Sequence, residues 1–245
     1  MMKIINIRYF TTPIILHAHG YSYRRDKSKP ELFDRLKDKV LSGPKRNIGV
    51  IPDLTIVTWS NKSEITPLEE NLKHYGLPHL VMGKEYAGVK WYHEFKLKTL
   101  KSALSGMKTE FIMGLDSFDV LLLDDPEKAL DRFRKFDCEM LFNASCYNWP
   151  RDFKTSAFEE SVVKGKFRYL NSGCFLAKVE FIRKLLEENL SRDNSGKQEL
   201  PDDQAFYKLM YQKYYPKIKI DSRCEIFQSL KRVKAFCFMG NLFVA

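Results

Sequence analysis

Residues Phe111 to Leu115 form an apolar run with two carboxylates close behind it, in Asp116-Ser117-Phe118-Asp119. Such a run reads as an inner strand of a sheet, which delivers its acids to the carboxyl-terminal edge. In open α/β sheets the ligand crevice lies at that edge. Asp116 and Asp119 are therefore the first candidates for a metal site, because hard divalent ions such as Mg or Mn favour carboxylate oxygen and keep positions open for phosphate oxygens. A turn is the competing reading, since Asp and Ser are common where strands end and Asp bonds its own backbone.

The rest of the chain alternates strand and helix. Thr12 to Gly20 reads as a short buried strand that ends in His17 and His19, either of which could ligate a metal or simply pack. Pro30 to Leu41 carries a helical apolar face, and Gly43-Pro44 ends it. Asp53 to Trp59 is a β-branched strand, followed by a helix that Thr66-Pro67 opens and Gly76 closes. His79 to Met82 is the next strand, and a helix is predicted from about Trp91 to Met107. Lys96 lies near the start of that helix, after a glycine-containing loop, where a lysine can reach a diphosphate beside backbone amides; a solvated lysine is the alternative.

Pro126 to Phe136 is amphipathic, and Glu139 to Asn143 returns as a strand. Tyr147 to Gly165 reads as a long loop. Phe167 to Ala177 is a strand interrupted by Asn171-Ser172-Gly173, where glycine marks a bulge or a close approach to a ligand. A helix follows from Val179 to about Leu190, then a polar loop from Arg192 to Glu199. Asp202 and Asp203 sit in the first turn of another helix, a place that its dipole already favours for acids. Strands near Ile218–Ile220, Glu225–Phe227 and Ala235–Met239 complete the alternation, which indicates an α/β sheet. The 245 residues suit one domain.

A formal net charge of +10 draws anionic partners. Short basic clusters such as Tyr23-Arg24-Arg25 and Lys45-Arg46 are dispersed rather than arrayed as a nucleic-acid stripe. Five cysteines without a Cys-x-x-Cys spacing read as reduced thiols. No apolar run approaches the roughly 20 residues that span a bilayer, and the first residues lack a signal-peptide pattern. A cytoplasmic protein is the expectation.

Four segments together resemble the glycosyltransferase domain of lysyl hydroxylases and related bacterial or viral glycosyltransferases. Asp116-Ser117-Phe118-Asp119-Val120 matches that family's metal-binding Asp-Ser-Tyr-Asp-Val. Asn171-Ser172-Gly173-Cys174-Phe175 looks like its Gly-Ser-Gly-Gly-Phe, and Asp203-Gln204-Ala205-Phe206-Tyr207 its Asp-Gln-Leu-Phe-Tyr. Cys224-Glu225-Ile226-Phe227-Gln228-Ser229-Leu230 is similar to its Cys-Arg-Ile-Phe-Gln-Asn-Leu. The family's later Pro-Val-Leu-Ile-His-Gly-Asn-Gly has no counterpart after these motifs, but Pro13-Ile14-Ile15-Leu16-His17-Ala18-His19-Gly20 resembles it. A circular permutation is the expectation, with residues 1–20 supplying the displaced metal-binding strand.

The resemblance implies a GT-A-like, Rossmann-like mixed sheet flanked by helices and a metal-dependent transfer of hexose from UDP-glucose or UDP-galactose, with retention favoured. It implies manganese or magnesium held by Asp116, Asp119 and His17, with His19 as neighbour or alternative. Lys96 would approach the diphosphate, Trp59 and Ser117 would belong to the donor site, and Asn171, Ser172 and Gly173 would contact donor sugar or acceptor. Asp202 or Asp203 would lie near the sugar as the catalytic carboxylate, to orient hydroxyls, stabilise the developing cation or take the acceptor's proton. The acceptor is expected to be a glycan, a lipid-linked sugar or a protein hydroxyl, with peripheral membrane contact and no nucleic acid. A basic nucleic-acid or membrane-surface binding protein without catalysis is the competing reading.

Overall fold

The computed structural model describes residues 3–19, 30–190, 202–238 and 241–244. The basic cluster at 23–25 and the polar stretch at 192–199 lie outside the described residues. In chain order the front supplies β1 (Ile4–Asn6), β2 (Ile15–His17) and α1 (Pro30–Leu41). Then come β3 (Leu54–Trp59), α2 (Pro67–His74), β4 (Leu80–Met82), α3 (Glu94–Leu104), β5 (Phe111–Asp116), β6 (Val120–Leu122) and α4 (Pro126–Phe133). The second half adds β7 (Met140–Ser145), α5 (Phe153–Val162), β8 (Tyr169–Lys178), α6 (Val179–Asn189), α7 (Asp203–Tyr214) and β9 (Ile218–Ile220). It closes with β10 (Phe227–Ser229), β11 (Ala235–Phe238) and β12 (Asn241–Val244).

The main sheet has the order β4-β3-β5-β8-β7-β9. Strands β3, β4 and β5 are parallel, β8 runs antiparallel between β5 and β7, and β9 is parallel to β7. This is the mixed, helix-flanked sheet of a GT-A-like fold. In β5 the side chains of Ile112, Met113 and Leu115 are fully buried, and burial of each contributes about 1.5–3 kcal/mol. A Cβ at Gly114 would stand 2.3 Å from the Phe175 ring, so glycine there lets that ring cross the strand.

Helix α2 shows how local chemistry aims the crevice. Thr66 and Glu69 form a reciprocal capping box, with Glu69 N–H donating to Thr66 Oγ1 at 3.3 Å and Thr66 N–H to Glu69 Oε2 at 3.0 Å. Such a cap is worth about 1 kcal/mol. On the buried face of the same helix, Asn71 Oδ1 accepts the Leu122 N–H at 2.7 Å and so ties it to β6. Strand β6 pairs antiparallel with β2, whose other edge pairs parallel with β10.

Several elements differ from the sequence expectation. The helix expected over Trp91–Met107 is Glu94–Leu104, because the Asn61 amide donates to Tyr86 O at 3.1 Å and Val89 O at 2.6 Å and holds the preceding segment as a loop. The expected long loop contains α5, capped by Asp152, whose Oδ1 accepts the Thr155 N–H at 2.9 Å. Strand β8 is continuous rather than interrupted, yet its pairing jumps from Phe142↔Phe175 to Asn143↔Asn171, leaving Ser172-Gly173-Cys174 as a bulge. β10 begins at Phe227 because the Asp221 carboxylate gathers the N–H groups of Glu225, Ile226 and Phe227 at 2.7–2.9 Å and bends that segment. Strands β1, β6 and β12 were not anticipated. None of the described helices is long and apolar enough to cross a membrane.

Candidate active site

Parallel pairing of β3 with β5 sets Trp59 beside Asp116 at the carboxyl edge of the sheet. The chain turns through Ser117 and Phe118, and β6 then pairs Val120 with His17. The Ala18 N–H donates to Asp119 O at 2.7 Å, which fastens that turn to the strand from the front of the chain. His17 Nε2 thereby lies 3.5 Å from Asp119 Oδ1 and 3.8 Å from Asp116 Oδ2. One donor atom from each of the three residues falls within 4.8 Å of the other two. The bulge completes the cradle, because a Cβ on Gly173 would stand 2.3 Å from His17 Cε1 and 2.7 Å from Asp116 Oδ2.

This corner fits a divalent cation. One imidazole and two carboxylates are a donor set for Mn or Mg, and His17 Nε2 is buried without a hydrogen-bond partner among the described residues. His17 Nδ1 lies 3.1 Å from Asn143 Nδ2. For Nε2 to present its lone pair, the ring proton must sit on Nδ1 and meet an acceptor. Asn143 Oδ1, itself buried and unpartnered, becomes that acceptor when the amide turns over. The turn gives up the 3.3 Å bond from Asn143 Nδ2 to Asn171 Oδ1.

Charge is concentrated here. Burial by itself lowers the pKa of His17, but Asp119 and then Asp116 outweigh it and hold the ring above its ordinary value. His19, whose ring centroid lies 5.3 Å from that of His17, is pushed down to about 3 by burial, with His17 adding to the effect. Lys96 Nζ stands 2.5 Å from Asp116 Oδ1 and 3.4 Å from Asp203 Oδ2. Burial opposes its charge, yet the two carboxylates more than compensate and raise its pKa.

The structure brings most of the sequence-predicted residues to this corner, in unequal roles. Asp203 is buried and faces Lys96, whereas Asp202 is the exposed N-cap of α7, its Oδ1 accepting from Gln204 N at 3.0 Å and Ala205 N at 3.2 Å. His93 Nδ1 lies 3.7 Å from Asp203 Oδ1. The Ser117 hydroxyl bonds Trp59 O and, at 2.7 Å, Thr58 Oγ1, so its side chain braces β5 against β3. Asn171 and Ser172 are held through Gln204, whose Oε1 lies 3.4 Å from Asn171 Nδ2 and Ser172 N and whose Nε2 donates to Trp149 O. Asn143 and Gln204 escaped sequence reasoning as site residues. Gln204 sat inside a recognised motif, while Asn143 carried no signal beyond being polar in an apolar strand.

A cavity of about 190 Å³ opens from the acids, walled by Trp59, Trp91, Phe118 and Lys96. A larger cleft of about 520 Å³ lies at the opposite edge of the sheet, around Glu110, Arg134, Glu139 and Lys178. It holds none of the described metal-type clusters, and its Lys178 and Glu139 pair with each other at 3.2 Å.

A sequence model described as the PLOD GT domain matches residues 52–239. The chain is 30% identical to procollagen-lysine,2-oxoglutarate 5-dioxygenase 2 of Mus musculus, over 64% of this chain and 22% of that protein. It is 28% identical to the multifunctional procollagen lysine hydroxylase and glycosyltransferase LH3 of Rattus norvegicus, again over 64% of this chain and 22% of the relative. An uncharacterized protein of Acanthamoeba polyphaga mimivirus shares 29% identity over 56% of this chain and 29% of its own length. The chain thus matches less than a third of the length of each of these relatives.

Proposed function

This chain belongs to the PLOD GT-domain family, and on that premise we propose that it moves a hexose from a UDP-sugar to a hydroxyl of a glycan, lipid-linked or protein acceptor. His17, Asp116 and Asp119 are the residues that would hold a divalent ion. When bound, that ion supplies positive charge to the departing diphosphate. Lys96, kept charged by its two carboxylates, lines the small cavity beside Asp116, and its ammonium would be a second source of charge for the leaving group. The rings of Trp59, Trp91 and Phe118 offer flat walls for a base. Asp203, buried beside Lys96, is placed to orient sugar hydroxyls or to steady positive charge on the sugar.

The observation that carries this reading is the convergence of His17 on Asp116 and Asp119, with an unpartnered ring nitrogen aimed at both acids. The placement of β2 beside β10 supports a circular permutation, since the histidine strand follows the Phe227–Ser229 motif in space although it precedes it in the chain. Calorimetry tests the reading directly. UDP is expected to bind in the presence of manganese, ATP with magnesium is not, and a panel of UDP-sugars should reveal a metal-dependent hydrolysis that identifies the donor. Binding of ATP-magnesium in preference to UDP-manganese would overturn the assignment.

A further inference from the structure

Past His19 lies a cationic corner whose residues do not line the cavity of Trp59, Trp91 and Phe118. Ring centroids step from His17 to His19 in 5.3 Å and from His19 to Tyr147 in 6.5 Å. Over the Tyr147 ring stand two cations, Arg232 with its guanidinium carbon 4.6 Å from the centroid and Lys231 with its Nζ at 5.3 Å. Among the described residues neither has a carboxylate within 4.0 Å, and the two like charges share one ring. Tyr147, Lys231 and Arg232 do not line the cavity of Trp59, Trp91 and Phe118. They lie on the His19 side of the metal-type cluster.

Backbone geometry shows that this corner is built. Ser229 pairs with His17, and the Leu230 N–H donates to His17 O at 2.9 Å, so the next residues are carried to the edge of the cluster. They form a four-residue turn closed by Val233 N–H to Leu230 O at 3.5 Å, in which Arg232 has φ +56°. A left-handed residue at the second central position of a turn suits glycine or asparagine, and a long side chain there is an outlier that points to a use. The Cys146 thiol donates to Lys231 O at 2.8 Å and locks the turn to the segment that bears Tyr147.

We propose that Lys231, Arg232 and Tyr147 form a subsite for an anionic group, phosphate or carboxylate, on the acceptor. The ring supplies a face for a sugar or other flat group, and the two cations supply a point charge and a planar fork for an oxyanion. The assignment rests on the transferase reading for its orientation, since the nucleotide must occupy the other cavity.

The test titrates glucose 6-phosphate, inorganic phosphate and neutral glucose into the protein saturated with UDP and manganese. Glucose 6-phosphate should bind saturably, phosphate should compete, and glucose should bind much more weakly. Arg232→Gly and Lys231→Ala should each weaken phosphate binding about tenfold, the loss expected for a charged hydrogen bond, while UDP affinity stays unchanged. Arg232→Gly should keep or raise Tm, because glycine relaxes the positive φ; a lowered Tm with unchanged phosphate binding would make the arginine structural and overturn the proposal. A fall in UDP affinity matching the fall in phosphate affinity would assign the pair to the donor diphosphate and overturn it equally. Should UDP fail to bind at all, the transferase reading is lost, and phosphate titrated into the UDP-free protein still decides whether the subsite exists.

Discussion

Among the described residues, two clusters of buried charge are built to opposite ends. Lys208 and Glu159 are sealed from solvent, with Lys208 Nζ 3.0 Å from Glu159 Oε2, 2.5 Å from Asn148 Oδ1 and 3.0 Å from Pro150 O. Glu159 Oε1 accepts the Leu170 N–H at 2.8 Å. That cluster lines neither of the cavities described above, and it pins the segment on which Trp149 sits. Around His17, Asp116, Asp119 and Lys96 the charges are equally dense, but His17 Nε2 comes no nearer than 3.5 Å to its acids, against 3.0 Å in the Lys208 pair, and a cavity opens beside them. Closure marks charges that hold a shape, and incompleteness marks charges that await a ligand.

Removing one charge from each cluster separates the two roles. Asp119→Ala should cut metal-dependent transfer and UDP-sugar hydrolysis by about a thousandfold, a loss typical of a main electrostatic group, while Tm moves little. Full activity in that variant would dissolve the contrast. Lys208→Met should do the reverse, lowering stability by about 3–5 kcal/mol because Glu159 is left buried and unpaired. Denaturation of the double variant with Glu159→Leu should recover most of that loss. Asn143→Leu lies between the two behaviours. It deprives His17 Nδ1 of its partner and should weaken manganese binding by about 10–100-fold, read by calorimetry, with the fold intact.

The smallest effect is a pH slope. Asp119 and Asp116 hold His17 protonated to a pH above its ordinary 6.5, against the pull of burial. An ion has to displace that proton, so apparent manganese affinity should climb about tenfold per pH unit up to the raised pKa and then level. In the ion-free protein the sign is opposite. Stability from the charged ring is complete below 6.5 and is lost as pH rises through the raised value. Asn143→Leu and wild type measured side by side across that range would show whether the amide shapes the slope.

Much of this centre could be read from residues alone. The run into Asp116 is apolar without relief, so its acids had to emerge at a strand edge, and Thr66 with Pro67 announced where α2 begins. His17 was a possible ligand from its place at a strand end, and only the resemblance to a displaced family segment chose it, because a lone imidazole after three apolar residues is ambiguous. What escaped depended on distant partners or on weak periodicity. Strands β1 and β12 are three and four residues long and pair across almost the whole chain, while α5 shows little amphipathic pattern, with Phe153 exposed at its start. Nothing in the letters of Leu230-Lys231-Arg232-Val233 signals a left-handed arginine.

The wedging of β2 between β6 and β10 has a consequence for how the protein is made. All three candidate ion-holding side chains are present in the chain once Asp119 has been added, yet one flank of the histidine strand stays bare until Phe227 to Ser229 arrive. A nascent polypeptide halted before that point would own every ligand and still grip no cation, so competence should switch on late and abruptly during translation.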